Sequence, residues 1–112
     1  MSTPEAKVKV QMRKGLKPIA RLWQFQPVQN GMGAPGLDFY CCICGWFVAI
    51  ETKTPGKKLT DRQRATAEHI ATAGGVVFVI RDQDDINFML GELKHPYLFQ
   101  GIIYDRLQPL CP

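Results

Sequence analysis

The sequence predicts an α/β fold in which helices flank a central mixed β-sheet, with elements in the order helix, strand, strand, strand, helix, strand, helix. Three short runs with strand-like patterns follow one another between residues 22 and 52. Apolar residues recur at helical spacing on both sides of these runs. Because 112 residues suffice for one hydrophobic core and little more, we expect a single domain over residues 1–112.

The composition is that of an ordinary folded protein. Hydrophobic residues make up 46% and charged residues 21% of the chain, which excludes the disordered and collagen-like classes. No apolar run approaches the roughly 20 residues of a membrane-spanning helix, and the N-terminus lacks the apolar segment of a signal peptide. We therefore expect no membrane partner and a cytoplasmic location, in the host-cell cytoplasm if the protein is viral.

The first helix is predicted to begin after Thr3, which can cap it, with Pro4 and Glu5 suited to its first turn. Gly15 and Pro18 weaken or end this helix. Between these limits the apolar residues recur at helical spacing, at Val8, Met12 and Leu16.

Three strands and a hairpin are predicted next. Residues 22–28 alternate between apolar and polar side chains, whereas residues 29–36 hold the glycines and proline of a loop. Residues 37–43 and 46–52 are rich in aromatic and β-branched residues. Cys44-Gly45 between them indicates a tight hairpin turn.

The second half of the chain predicts helix, strand, helix. Thr60 and Gln63 form a capping-box pattern for a helix over 60–73 that two glycines end. Residues 76–80 form a continuous β-branched and aromatic run, typical of a strand covered on both faces. Asp82 or Asp84 can cap a further helix. Residues 101–104 are compatible with a short edge strand.

The hairpin is predicted to gather three charged residues. If an even-numbered turn is centred on Gly45 and Trp46, Asp38 faces Lys53. In that register Tyr40 faces Glu51. Side chains two residues apart share a face, so Asp38, Glu51 and Lys53 would project to one side, within about 5 to 8 Å of one another.

Two carboxylates and an amine at one end of a sheet suit phosphodiester chemistry. Hard oxygen ligands select Mg²⁺ or Mn²⁺, and such an ion can polarise a phosphoryl oxygen while Lys53 stabilises developing charge. The same residues also fit a purely structural interpretation. In that case Glu51 and Lys53 face solvent on an amphipathic strand, and Asp38 accepts backbone donors at the end of a loop.

The motifs resemble those of a known nuclease superfamily. Pro35-Gly36-Leu37-Asp38 followed by Ile50-Glu51-Thr52-Lys53 resembles the D…ExK motif of the PD-(D/E)XK superfamily. The segment from Pro55 to Thr60, Gln63, and the Ala73-Gly74-Gly75 turn look like its VRR-NUC branch, which includes small stand-alone phage proteins. The resemblance covers roughly residues 3–82. It departs in one respect, because the family's usual Pro-Asp dipeptide is here Gly36-Leu37-Asp38.

The resemblance implies a restriction-endonuclease-like core and a set of site residues. Asp38, Glu51 and the carbonyl of Thr52 would bind the metal, and Lys53 would assist catalysis. The family also tends to place a glutamate on its first helix and a glutamine on the helix after the lysine strand. These places fall on Glu5, a further metal ligand, and Gln63, a further catalytic residue. Each has a simpler interpretation, as a first-turn acid and as a capping-box partner.

A DNA substrate is favoured by two basic clusters in a chain of net charge +4. No helix carries an obvious set of base-reading side chains, so phosphate contacts would dominate. By resemblance to small family members, we expect a homodimer that acts as an endonuclease on branched, flapped or junction DNA. The candidate phosphate contacts are Lys7, Lys9, Arg13, Lys14, Lys57, Lys58, Arg62 and Arg64.

Two other classes of function stay open. One is a catalytically silent nucleic-acid-binding module on the same scaffold. The other is a zinc or redox protein built on Cys41, Cys42 and Cys44, although their spacing is a poor framework for zinc or for disulfides. Tyr40 and Trp46 suit either base stacking or the core. His69 has no partner at a ligand spacing, so a structural role is expected.

Overall fold

The computed structural model describes residues 3–27, 36–94 and 101–107. It confirms the α/β fold class and the predicted order of elements, with the edge strand added at the end. Val28, all but the last residue of the predicted loop over 29–36, and most of the chain after Lys94 lie outside the described residues. The helices and strands are α1 (Pro4–Leu16), β1 (Leu22–Phe25), β2 (Phe39–Ile43), β3 (Trp46–Thr52), α2 (Asp61–Thr72), β4 (Val76–Ile80), α3 (Gln83–Glu92) and β5 (Ile102–Tyr104).

The five described strands form one mixed sheet in the order β1-β2-β3-β4-β5. β1, β2 and β3 pair antiparallel, whereas β3, β4 and β5 pair parallel. α1 and α3 pack on one face of the sheet and α2 packs on the other. Strand β4 is buried along its whole length, as predicted for a strand with both faces covered. None of the helices in these ranges is both long and apolar enough to span a bilayer.

Side-chain caps fix where the helices begin. The Thr3 hydroxyl accepts from the Ala6 N–H at 3.1 Å, and the Asp82 carboxylate accepts from the Asp85 N–H at 2.9 Å. At α2 the capping box is complete, with Thr60 as the cap and Gln63 as its reciprocal partner. These caps satisfy orphan amides at each helix start, and the α2 cap places Gln63 at the end of the sheet where the charged residues gather.

The hairpin register differs from the predicted one by two residues. Ile43 pairs with Trp46, so the turn is centred on Cys44 and Gly45 rather than on Gly45 and Trp46. Both turn residues have positive φ, 51° at Cys44 and 88° at Gly45, as a type I′ turn requires. The predicted turn would have forced the bulky Trp46 into this region, which is strained for such a side chain. Continuing the observed register places Asp38 opposite Glu51.

A buried ion pair ties the loop after β3 to the far edge of the sheet. Arg81 Nη1 lies 2.7 Å from Asp105 Oδ1, and Arg81 Nε donates to the Lys57 carbonyl at 2.9 Å. Both side chains are almost fully buried, so breaking the pair would leave an uncompensated buried charge. The contact holds the loop that begins at Lys53 against β4 and β5.

Candidate metal centre and active site

Three carboxylates converge at one end of the sheet. Glu5 on α1, Asp38 just before β2 and Glu51 on β3 each present an oxygen within 4.8 Å of the others' oxygens. The hairpin brings Asp38 and Glu51 together across two strands, and the N-terminal turn of α1 adds Glu5 from the helical layer. Three acids this close repel one another strongly unless a cation or a proton lies between them.

Asp38 is held rigidly by its neighbours. Its Oδ2 accepts from the Thr52 N–H at 2.9 Å and from the Thr52 hydroxyl at 2.6 Å. Its Oδ1 lies 3.4 Å from the Lys9 ammonium. The structure therefore leaves Asp38 mostly buried, anchored on one oxygen by β3 and neutralised on the other by α1.

Glu51 is the most buried acid of the three, with 2% of its surface exposed. Burial first, and then the nearby charge of Asp38, raises its pKa to about 8, and the charge of Lys53 opposes this rise. Within the described part of the chain its Oε1 is buried without a hydrogen-bond partner. An orphaned carboxylate oxygen on an acid of this cluster fits a divalent cation well, because the ion would satisfy that oxygen and relieve the repulsion.

Gln63 contacts both the helix cap and the carboxylate cluster. Its side-chain oxygen accepts from the Thr60 N–H at 3.0 Å, which completes the capping box. Its amide nitrogen donates to Glu51 Oε2 at 3.1 Å. One side chain thus links the start of α2 to the candidate metal ligand.

The remaining predicted site residues lie at the same end of the sheet. Thr52 is fully buried beside Asp38, which leaves a metal bond from its carbonyl as a proposal. The Lys53 N–H donates to the Ile80 carbonyl at 2.9 Å and fixes the backbone there. The solvent-facing interpretation of Glu51 is wrong because its side chain is buried.

Sequence reasoning missed the position of Lys9. Lys9 was predicted to contact DNA phosphates, and in the structure its ammonium lies against Asp38. The available indication was its spacing: Glu5 and Lys9 are four residues apart and therefore lie on one face of α1. Of the other predicted phosphate contacts, Arg13 bonds the Gln26 side chain at 3.1 Å and Arg64 pairs with Glu68 at 3.1 Å. The rest are exposed on α1, the loop before α2 and α2 itself, at Lys7, Lys14, Lys57, Lys58 and Arg62.

The three cysteines of the zinc hypothesis do not share a site. Cys41 is buried and Cys42 is exposed, because adjacent residues of a strand point to opposite faces. Burial raises the pKa of the Cys41 thiol to about 11, which disfavours the thiolate that a metal binds. Cys44 lies apart in the hairpin turn. His69 is exposed on α2.

Comparison with known proteins supports the fold assignment. No protein-family model matches this sequence, and no curated protein matches it. A solved structure described as a "VRR_NUC domain" superposes with a TM-score of 0.69 and 17% identity, and the match covers 86% of this chain and 100% of the other. This chain therefore has the fold of a VRR_NUC domain.

Proposed function

We propose that this protein is a divalent-metal-dependent DNA endonuclease that hydrolyses phosphodiester bonds. The observation that carries the proposal is the convergence of Glu5, Asp38 and Glu51, together with a buried Glu51 oxygen that has no hydrogen-bond partner among the described residues. The VRR_NUC fold supports the same function by analogy.

Mg²⁺ or Mn²⁺ is the cation that the donor set favours, because all three side chains offer hard carboxylate oxygens. Asp38 and Glu51 would hold it, with Glu5 and the Thr52 carbonyl as further ligands. When bound, such an ion supplies charge stabilisation at a phosphoryl oxygen and makes a water more acidic. The Thr52 hydrogen bonds orient Asp38 for this role.

Lys53 would act on the substrate side of the centre. Its ammonium is close enough to lower the pKa of Glu51, so it favours the ionised carboxylate that a metal needs. In the reaction it would orient the attacking water or stabilise the negative charge that builds on the phosphorus oxygens. Gln63 would hold Glu51 in position through its amide.

The substrate we propose is branched, flapped or junction DNA, bound by a homodimer. Exposed basic residues lie on α1, which also carries Glu5, and near the start of α2, which carries Gln63, so phosphate contacts would supply most of the affinity. Phosphate contacts carry no base information, which leaves DNA shape as the basis of selectivity.

A cleavage panel tests this proposal. The full chain would be incubated with junction, flapped, nicked and linear DNA, with Mg²⁺ or with chelator. We expect metal-dependent cutting by the wild type, loss of cutting in Lys53→Ala, and retention in Lys17→Ala, which removes an exposed lysine at the end of α1. Binding without cutting under Mg²⁺ and Mn²⁺ would favour the catalytically silent module instead.

A further inference from the structure

One face of the sheet packs against α2, but α2 does not cover all of it. The uncovered part carries an aromatic patch formed by Trp23, Phe25 and Phe47. Trp23 pairs with Cys42, which pairs with Phe47, and Phe25 pairs with Tyr40. Directly paired residues share a face. Trp23 is 63% exposed, Phe25 52% and Phe47 46%. The outer strands therefore present aromatic rings to solvent where a sheet of this kind normally has polar side chains.

The aromatic rings of the patch lie close together and nearly parallel in pairs. The Trp23 and Phe25 rings are 6.3 Å apart and nearly parallel, at 8°. The Phe47 ring is 5.8 Å from Tyr40 and inclined at 28°. Tyr40 in turn packs against the core beneath α2, so the patch is continuous with the supported part of the sheet. Flat, ordered and exposed rings form a platform on which other flat groups can stack.

The patch leads to the candidate active site. Phe47, Ala49 and Glu51 alternate along β3 and so lie on the same face, with Ala49 buried beneath α2 between the other two. Three residues of strand lie between Phe47 and Glu51, and the distance along the strand is about 13 Å. A strand of nucleic acid lying on the patch would therefore have to pass around the part of the face that α2 covers, a distance of a few nucleotides, to reach the carboxylates.

Charge and area distinguish between possible occupants. Strands β1, β2 and β3 contain one charged residue, Glu51, so the patch has no acid of its own to repel phosphates. Lys53 and the exposed Arg62 supply positive charge at its active-site end. The three exposed rings together offer on the order of 300 Å², well below the roughly 800 Å² that each partner buries in a stable protein interface.

We propose that this patch binds the unpaired bases of a single-stranded DNA segment by stacking and leads that segment to the metal centre. This inference rests on the proposed nuclease function, and it specifies the single-stranded arm of a branched substrate as the part that the protein grips. Aromatic stacking suits this task because every base has a stacking face, so the grip does not depend on sequence.

The test measures binding of a fluorescently labelled oligothymidylate of about 12 nucleotides to the full chain in chelator. Trp23→Ala/Phe25→Ala is expected to lose at least about tenfold in affinity, since it removes two rings on which bases would stack. Trp23→Leu/Phe25→Leu, which keeps apolar bulk, is expected to lose a similar factor. Phe88→Ala removes a 49% exposed ring from α3 on the other side of the sheet, and it should bind within about twofold of wild type.

Three outcomes would overturn the inference. The first is no binding of the oligothymidylate by wild type, and the second is equal binding by the double variants. The third is a wild-type dimer that the alanine variant, but not the leucine variant, converts to monomer, because the patch would then be an apolar contact between copies. Weakened binding in both double variants together with no metal-dependent cutting of any DNA would support the patch and reject the nuclease proposal.

Discussion

The Gln63 side chain donates to Glu51 Oε2 at 3.1 Å while its oxygen closes the capping box with the Thr60 N–H. The same residue therefore determines where α2 begins and how the most buried acid of the site is oriented. This coupling explains how a strand and a helix together position the proposed metal ligand Glu51, because the start of the helix is fixed by a side chain that also contacts Glu51.

The first prediction is that mutation can separate the capping contact of Gln63 from its contact with Glu51. Thr60→Ala removes the cap hydroxyl but leaves Gln63 able to reach Glu51, so it is expected to cost about 1 kcal/mol of stability with nuclease activity retained. Gln63→Ala removes both contacts, and is expected to lose activity or metal affinity by on the order of tenfold as well. Urea unfolding and cleavage rates of the two variants check this. Equal activity in both variants would show that the Glu51 contact has no functional role.

The second prediction concerns pH. The pKa of Glu51 is raised from an ordinary 4.5 to about 8, so the folded protein keeps a proton that the unfolded chain loses. The free energy of unfolding of the metal-free wild type therefore falls as pH rises from about 4.5 to about 8. Above that pH it stays at the lower value. Glu51→Gln removes the effect, so its stability relative to wild type should rise by on the order of 5 kcal/mol between about pH 4 and about pH 9. Urea unfolding in chelator at both pH values checks this, and a difference that does not change with pH contradicts it.

The third prediction follows from the same carboxyl. Metal binding requires the ionised form, so the cation must displace the Glu51 proton. Affinity for Mn²⁺ is expected to rise with pH up to about 8 and then level off, with protons released on binding. Calorimetric titrations in buffers of different ionisation enthalpy measure that release. Affinity that is independent of pH over this range would mean that Glu51 is not a ligand.

The fourth prediction concerns Lys9, which lies 3.4 Å from Asp38 Oδ1. A cation beside a metal ligand competes with the metal, so Lys9→Gln is expected to tighten Mn²⁺ binding by on the order of threefold. Lys7→Gln removes an exposed charge from the same helix and serves as the control. Weaker binding in Lys9→Gln would instead indicate that Lys9 holds Asp38 in its binding geometry.

The fifth prediction tests the hairpin. Cys44 has a positive φ of 51°, a conformation that asparagine tolerates and β-branched residues resist. Cys44→Asn is expected to raise the free energy of unfolding by about 0.5 kcal/mol, and Cys44→Val to lower it by about 1 kcal/mol. Urea unfolding of the two variants measures both changes. If Cys44→Val were more stable than Cys44→Asn, the turn would not be centred on Cys44 and Gly45.

Much of the fold could be predicted from local patterns. Thr3, Thr60 and Asp82 cap the helices as expected, because a cap depends on residues only three positions apart. The hairpin register was wrong because alternation specifies a face but not a pairing, and slipping by two residues preserves every face. The observed register is set by the turn at Cys44-Gly45, where Gly45 readily adopts the positive φ that this turn needs.

The site was harder to predict because it depends on contacts between layers. Spacing within the hairpin indicated Asp38 and Glu51, whereas Glu5 came only from a family resemblance. The spacing of Glu5 and Lys9 on α1 was the only indication of the Lys9 contact, and neither pattern nor resemblance indicated the Thr52 hydroxyl bond. The pairing of α1 with the end of the sheet is a tertiary packing outcome that no local sequence pattern specifies.

The most direct test of the central claim is a crystal structure of the full chain grown with Mn²⁺, in which the ion is located by its anomalous scattering. We expect an ion bound by Asp38 and Glu51, next to Glu5. We expect no ion there in Asp38→Asn crystals treated in the same way. No ion between these carboxylates at millimolar Mn²⁺, or an ion whose position does not depend on Asp38, would contradict it.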